Sequence, residues 1–211
     1  MYKSCSCKSK FNAVFMKNLE WYLDYVYDGY KKGLFSKIGK NVLEIGAGTG
    51  INLKYYRPGI NLTVIEPSRE MLDYFLEKAK KYPLNIHVKQ GFAEELPFEN
   101  ESFDAVVSTL VLCSIKSPQK AMEEIKRVLK KDGYFIFIEH VKAPENTITN
   151  KVQRFVQPVW KWTFEGCDVQ RDTGKLIEAY FPEVQYKTIR FNSPFIPVNY
   201  HIIGYAKKSQ S

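Results

Sequence analysis

The chain is expected to be an α/β protein with a mostly parallel, seven-stranded sheet and helices on both faces. Three observations predict this. Short β-branched runs alternate with amphipathic stretches five times between residues 41 and 141, the rhythm of successive βα units. The first run, Asn41 to Ile45, enters a turn with glycines at positions 46, 48 and 50. Such a turn lets a ligand approach the main chain without Cβ obstruction where a strand hands over to a helix. After the fifth run the alternation stops: an aromatic insertion, 142–171, precedes two closing β-rich runs at 184–191 and 198–206.

Each element has its own warrant. From Phe11 to Phe35 apolar and aromatic residues recur at three- and four-residue steps, which predicts one or two amphipathic helices ended by Gly39. Strand 41–45 is followed by a short helical pattern at 51–56, and strand 61–66 by a helix near 68–81. In that helix Ser68 is a plausible N-cap after Pro67, and Met71, Leu72, Phe75, Leu76 and Ala79 form the apolar stripe. Strand 85–89 leads to a loop, 91–101. Strand 103–109 leads to a helix, 118–130, with Pro118 in its first turn and Ala121, Met122, Ile125, Val128 and Leu129 turned inward. Asp132-Gly133 ends it, strand 134–140 is the fifth, and a helix near 172–181 precedes the closing runs. The insertion carries Phe155, Val156, Val159, Trp160, Trp162 and Phe164. It either roofs a pocket at the carboxyl edge of the strands, where open α/β sheets bind ligands, or packs on the sheet.

Composition narrows the class. With 211 residues and 45% hydrophobic content the chain can bury one sizeable core, so one domain is expected over 1–211. Within it, 1–40 would form a helical lid, 41–141 a ligand-binding core, 142–171 a substrate cap, and 172–211 the closing helix and strands. No apolar run reaches the ~20 residues that span a bilayer, and the polar, basic Met1–Lys10 is unlike a secretory signal. Four irregularly spaced cysteines make no disulfide framework, so a reduced, cytoplasmic protein is the expectation. Cys5-x-Cys7 lacks a second pair or a Cys/His cluster in sequence, and no metal is expected there. The net charge of +8 divides as +5 over 1–40, −1 over 41–141 and +4 over 142–211. Basic flanks around a neutral middle suit an anionic membrane surface, an anionic substrate or RNA, or are simply solvated.

The glycine turn reads Gly-x-Gly-x-Gly, whereas a dinucleotide fingerprint needs Gly-x-Gly-x-x-Gly and a phosphate loop needs Lys-Ser or Lys-Thr. Glu44, two residues ahead of Gly46, suits a cationic ligand better than a polyphosphate. Glu66, at the tip of the second strand and twenty residues beyond Gly46, is where doubly wound sheets receive ribose hydroxyls. This pattern resembles the Rossmann-like class I S-adenosylmethionine-dependent methyltransferases. Gly91 to Phe98, followed by Ser102 to Val107, is similar to the adenine-reading segment of their UbiE-like (methyltransferase type 11) branch. Relatives often carry Asp where this chain has Phe92, which can pack on the adenine ring but not accept its amino group; Glu94 is the substitute acceptor. Thr109 to Ile115, Glu139-His140-Val141, Gln157 to Trp160 with Glu165 to Asp168, and His201 to Ala206 resemble the thiol S-methyltransferases, over about residues 11 to 208.

The resemblance implies an enzyme that consumes S-adenosyl-L-methionine, releases S-adenosyl-L-homocysteine and methylates a small molecule. A thiol is the first acceptor, a phospholipid amine or a quinone the alternative. An RNA or protein acceptor has less support: no Asn-Pro-Pro-Tyr-type motif follows the fourth strand and no nucleic-acid module is appended, so no nucleic-acid partner is expected. A cofactor-binding protein without catalysis is the third class. Vertebrate members bear an apolar N-terminal membrane anchor that this sequence lacks, leaving peripheral contact with an anionic membrane as the expected limit.

The resemblance also implies the site. Gly46, Ala47, Gly48 and Gly50 would approach the amino-acid and ribose portion, Glu44 the cationic end, and Glu66, with Pro67 beside it, the ribose hydroxyls. Phe92, Ala93 and Glu94 would face adenine, and Thr109 and Leu110 the methionine arm. A thiol of pKa ~8.5 must be deprotonated to attack well, and His140, ending the fifth strand, is the expected base, with Asp168 and His201 as further candidates at the mouth. The sulfonium methyl is already activated, so neither a metal nor an enzyme nucleophile is expected, and Cys113 and Cys167 read as packing residues.

Overall fold

A computed structural model describes residues 6–193 and 195–210. The pair Cys5-x-Cys7 therefore lies partly outside the described residues. The first helix, α1, runs unbroken from Ser6 to Phe35, one helix where the pattern allowed two. It leads into β1 (Asn41–Ile45), β2 (Asn61–Glu66), α2 (Arg69–Ala79), β3 (Asn85–Gln90), β4 (Phe103–Thr109) and α3 (Pro118–Val128). Then come β5 (Leu129–His140), α4 (Ile148–Thr163), α5 (Thr173–Tyr180), β6 (Glu183–Arg190) and β7 (Tyr200–Lys207).

The seven strands form one sheet in the order β3-β2-β1-β4-β5-β7-β6. The first five are mutually parallel, and β7 runs antiparallel to both of its neighbours. This is the predicted architecture. Central strands are apolar nearly throughout because both faces are covered: β1 buries Val42, Leu43, Glu44 and Ile45. On one face α3 and α5 bury Ala121, Met122, Ile125, Ile177 and Phe181 against Val106, Phe135 and Phe137. On the other, the end of α1 and α2 bury Phe35, Leu72 and Phe75 against Val42, Leu62 and Val64. The edge strands β3 and β6 alternate in burial instead, since one face of each meets water.

Beyond shifts of one or two residues, three stretches depart from or sharpen the sequence expectation, each for a local reason. The pattern at 51–56 yields only a 3-10 turn, Leu53–Tyr55. Leu53 alone is buried on it, too little apolar surface for a full helix to repay the entropy of ordering. The chain after α3 turns extended already at Leu129, which pairs with Phe103, and an irregularity carries it past Asp132 (φ +59°) into the regular ladder. The apolar side chain of Leu129 faces the core from a strand, so its burial could not distinguish helix from strand. The insertion contains a full helix, α4, capped by Thr147, whose Oγ1 accepts the Asn150 N–H. Buried Gln153 fastens α4 to the body: its Oε1 accepts the Ala143 N–H (2.8 Å), and its Nε2 donates to the carbonyls of Val141 (3.1 Å) and Pro197 (2.9 Å).

Candidate functional site

At the carboxyl edge of β1, β2, β4 and β5 lies a cavity of about 1110 Å³, roofed by α1 and closed at one end by the segment after α4. Its floor is built from β1 outward. β1 ends in Glu44, which is buried and accepts from Asn52 Nδ2 (2.7 Å) and the Tyr56 hydroxyl (2.8 Å). The glycine turn follows. Gly46 has φ +59°, and a Cβ on it would sit 2.5 Å from a Val111 methyl. Gly48 has φ +54°, and a Cβ there would project into open space.

β2 ends in Glu66, which orders that turn. Its Oε2 accepts the Gly48 N–H (3.0 Å) and its Oε1 the Ser68 N–H (2.9 Å), leaving one lone pair on each oxygen. The Gly46 N–H is spent on the Ile65 carbonyl (2.7 Å). Two of the turn's amides thus hold the fold together rather than waiting for a ligand. Asn52, in the turn after the glycines, donates to Glu44 and to Thr109 Oγ1 (3.0 Å), while its buried Oδ1 has no partner. An orphaned acceptor beside a carboxylate is a place for an ammonium.

Electrostatics agree. Burial raises Glu44 and Glu66 each to about 7, against the hydrogen bonds that favour their charged forms. Lys31 on α1 is fully buried, with its ammonium 5.1 Å from the Tyr55 ring centre and 5.8 Å from that of Tyr27, and burial lowers it to about 8. α1 is tied over the donor end by Glu20, which accepts from Thr49 Oγ1 and pairs with Lys78 (2.7 Å).

The residues expected beside adenine lie in the wall as well. Phe92 is half exposed, and Glu94 spends Oε1 on the N–H groups of Lys116 (3.1 Å) and Ser117 (3.2 Å) at the start of α3. Leu110 lines the cavity in the left-handed region at φ +59°, which costs a non-glycine residue about 1–2 kcal/mol. Glu139 holds this strained turn. Fully buried, it accepts from the Ser108 hydroxyl (2.5 Å), the Val111 N–H (3.2 Å) and the Leu112 N–H (3.1 Å).

The other end of the cavity is apolar and sulfur-rich. His140 ends β5, is buried, and lies with Nε2 3.1 Å from Cys167 Sγ. Cys167 Sγ is 3.6 Å from Cys113 Sγ and receives the Trp160 indole N–H at 3.3 Å. The Cys113–Cys167 contact, with burial, raises the Cys113 thiol, and the same contact lowers that of Cys167. Trp160, Phe164, Phe195 and Val198 surround this cluster. His201 stands cross-strand from His140 among the rings of Tyr27 and Phe191, and burial depresses it to about 3, so it is a neutral wall.

Of the residues expected at the site, Glu44, Gly46, Ala47, Gly48, Glu66, Pro67, Phe92, Ala93, Glu94, Thr109, Leu110 and His140 line this cavity. Two do not. A Cβ on Gly50 would meet Leu53 and Phe75 behind the wall, so its place is in packing. Asp168 is absent from the wall because its carboxylate accepts from Gln157 Nε2 (2.5 Å) and the Gln170 N–H (2.9 Å). Sequence reasoning missed Asn52, Glu139 and the meeting of Cys113 with Cys167. For Asn52 a signal existed: a polar amide one turn beyond the glycines, on the ligand side. The cysteines offered none, lying 54 residues apart.

The methyltransferase-domain family matches residues 43–137. The chain is 36% identical over 191 residues to thiol S-methyltransferase TMT1B of Rattus norvegicus, covering 84% of this chain and 78% of the relative. It is 34% identical over 193 residues to human thiol S-methyltransferase TMT1A, with the same two coverages. A phosphatidylethanolamine N-methyltransferase of Cereibacter sphaeroides is 33% identical over 122 residues, 56% of this chain and 60% of that one. Among solved structures, a Thermotoga maritima S-adenosylmethionine-dependent methyltransferase superposes with a TM-score of 0.65 at 18% identity, over 95% of this chain and 99% of the other. The [4+2]-cyclase SpnF superposes at 0.69, also at 18% identity, over 87% and 81%. Such likeness fixes the fold and leaves the reaction to the site.

Proposed function

This chain belongs to the class I S-adenosylmethionine-dependent methyltransferases, in the branch that includes the thiol S-methyltransferases, and on that premise we propose that it methylates the sulfur of a small, largely apolar thiol. One observation carries the reading. A single cavity joins the acidic floor at Glu44 and Glu66 to an apolar chamber that ends on Cys113, His140 and Cys167.

The cavity residues suit the donor. Glu66 keeps one free lone pair on each oxygen for vicinal hydroxyls, Asn52 Oδ1 waits for an ammonium, and Gly48 leaves space where a side chain would intrude. When bound, S-adenosylmethionine supplies a methyl on a cationic sulfur, activated for in-line displacement. The chain's own part is to hold the two sulfurs in line and keep water away, and such positioning supplies several kcal/mol. Leu110, in the turn whose next two N–H groups Glu139 accepts, and Thr109, bonded by Asn52, set the side of the donor from which the acceptor approaches. His140 faces the acceptor chamber with Nε2 engaged by Cys167, and its buried Nδ1 has no partner. Asp168 takes no part in the transfer and braces the loop that carries Cys167.

A second reading, an aminolipid acceptor, is favoured by the outer face of α4. There Ile148, Phe155, Val159 and Trp162 are 80%, 88%, 69% and 74% exposed along one side of the helix, a surface fit to rest on lipid. No described helix is long and apolar enough to cross a membrane. The test is transfer of labelled methyl from S-adenosylmethionine to alkanethiols, quinols and aminolipid vesicles in parallel. Label on the thiols is the expected result. Label on lipid or quinol with the thiols untouched would overturn the thiol assignment.

A further inference from the structure

We propose that Cys113, His140 and Cys167 form a binding site for a zinc-class divalent cation whose fourth position faces the cavity and takes the acceptor sulfur. The proposal rests on the thiol reading above and gives it a means of activation.

The geometry is that of a nearly formed tetrahedral face. With metal–sulfur bonds of about 2.3 Å and metal–nitrogen bonds of about 2.0–2.1 Å, the edges of such a site are about 3.8 Å between sulfurs and about 3.5 Å between sulfur and nitrogen. Here the two sulfurs are 3.6 Å apart, Cys167 Sγ and His140 Nε2 are 3.1 Å apart, and all three ligand atoms lie within 4.8 Å of one another. Two soft thiols and an imidazole are a donor set that selects zinc among common cations. An S–S bond would need about 2.0 Å, so the sulfurs are set for a shared ligand and not joined to each other.

The ligands come from three elements, each held in place by the fold. Cys113 sits in the turn held by Glu139, His140 at the paired end of β5, and Cys167 in the loop after α4. The Asp168 N–H donates to the Cys113 carbonyl (2.9 Å), joining the two cysteine-bearing loops, and the Trp160 indole gives Cys167 an outer hydrogen bond of the kind that orients metal ligands. All three ligands are buried yet line the cavity that also reaches Glu44 and Glu66.

The chemistry calls for such a cation. A thiol entering an apolar chamber becomes harder to ionise. The other imidazole among the described lining residues, His201, is buried among the rings of Tyr27 and Phe191. At the cation the acceptor R–SH would release its proton to solvent and stay as thiolate. Its electron pair then forms the new S–CH3 bond while the donor's S–CH3 bond breaks, and that pair returns to the leaving sulfur, which departs neutral. The product thioether carries no charge, binds the cation weakly and leaves. A metal is superfluous for the donor half of this reaction; its use is wholly on the acceptor half.

The test is cobalt(II) titration of the untagged, metal-stripped chain, read by thiolate-to-cobalt charge transfer, with zinc content measured on the protein as purified. We expect one equivalent bound, loss of that equivalent in Cys113→Ser and separately in Cys167→Ala, and a shift of the cobalt spectrum on adding an alkanethiol. S-adenosylhomocysteine affinity within about twofold of wild type in both variants would show that the fold persists. The proposal falls if cobalt binds below a tenth of an equivalent, if both variants bind as wild type does, or if the thiol leaves the spectrum unchanged. Methylation of thiols by fully metal-free protein would sink the cation and leave the thiol reading standing. Tight cobalt binding with no thiol methylated would do the reverse.

Discussion

At the donor end of the cavity, Glu44, Gly46, Gly48 and Asn52 come from one segment of the chain, and Glu66 from the tip of the neighbouring strand. At the acceptor end, Cys113, His140 and Cys167 come from three elements, with 54 residues between the two cysteines. The donor end is also acidic and hydrogen-bonded, with both carboxylates near 7, whereas the acceptor end is apolar and sulfur-rich. The difference follows from the tasks. A large polar donor needs many fixed partners, which one βα turn and the next strand tip supply together. A small apolar acceptor needs only shape, dryness and one activating group, which any elements meeting at the sheet edge can provide.

The comparison breaks if the two ends are not separable, and the strongest probe is Glu66→Ala. Two hydrogen bonds to a charged group, each worth about 1.5–3 kcal/mol, should be lost. S-adenosylhomocysteine affinity should fall at least about thirtyfold by calorimetry, with cobalt binding at the acceptor end unchanged. A loss under about threefold would remove Glu66 from the donor site. A parallel loss of cobalt would show that the two ends are one coupled network.

This asymmetry also decides what the sequence could tell. The glycine turn, Glu44 and Glu66 were legible because the residues that cooperate are adjacent in sequence or stand at the fixed offset between successive strand tips. The strands β1, β2 and β4 were legible to the residue, since their apolar runs are bounded by turn residues. Leu129 was misplaced into a helix because burial is the same signal in either conformation. Glu139 entered only within the Glu139-His140-Val141 stretch, with no role of its own. That it holds Val111 and Leu112, 28 and 27 residues away, depends on β4 and β5 lying side by side, which no local pattern encodes. Asp168, expected at the mouth, lies outside the wall: its Oδ1 accepts from Gln157 Nε2 and the Gln170 N–H, contacts that depend on how the loop after α4 folds back on the helix.

A weaker effect sharpens the electrostatic half of the comparison. Burial holds Glu66 at about 7, and only the ionised form can accept two ribose hydroxyls. The sign follows: binding favours the deprotonated acid, so affinity is fully developed above pH 7 and is lost as the pH falls through it. Between pH 8 and pH 6, the dissociation constant for S-adenosylhomocysteine should rise about tenfold. Glu66→Gln should flatten that slope. If the slope survives the substitution, Glu44, also at about 7 and held by Asn52 and Tyr56, is the group being titrated.

The smallest effect belongs to Asp168, and its smallness is the point. Asp168→Asn keeps the size of the side chain and can still accept from Gln157 and Gln170, while weakening the 3.7 Å pairing with Lys161, which is partly exposed. Stability should fall by about 1 kcal/mol or less, and kcat at saturating donor and thiol should stay within about twofold of wild type. A fall in kcat of a hundredfold with the melting temperature intact would place this carboxylate among the reacting groups. The boundary of the acceptor end would then have to be redrawn to include the loop that carries it.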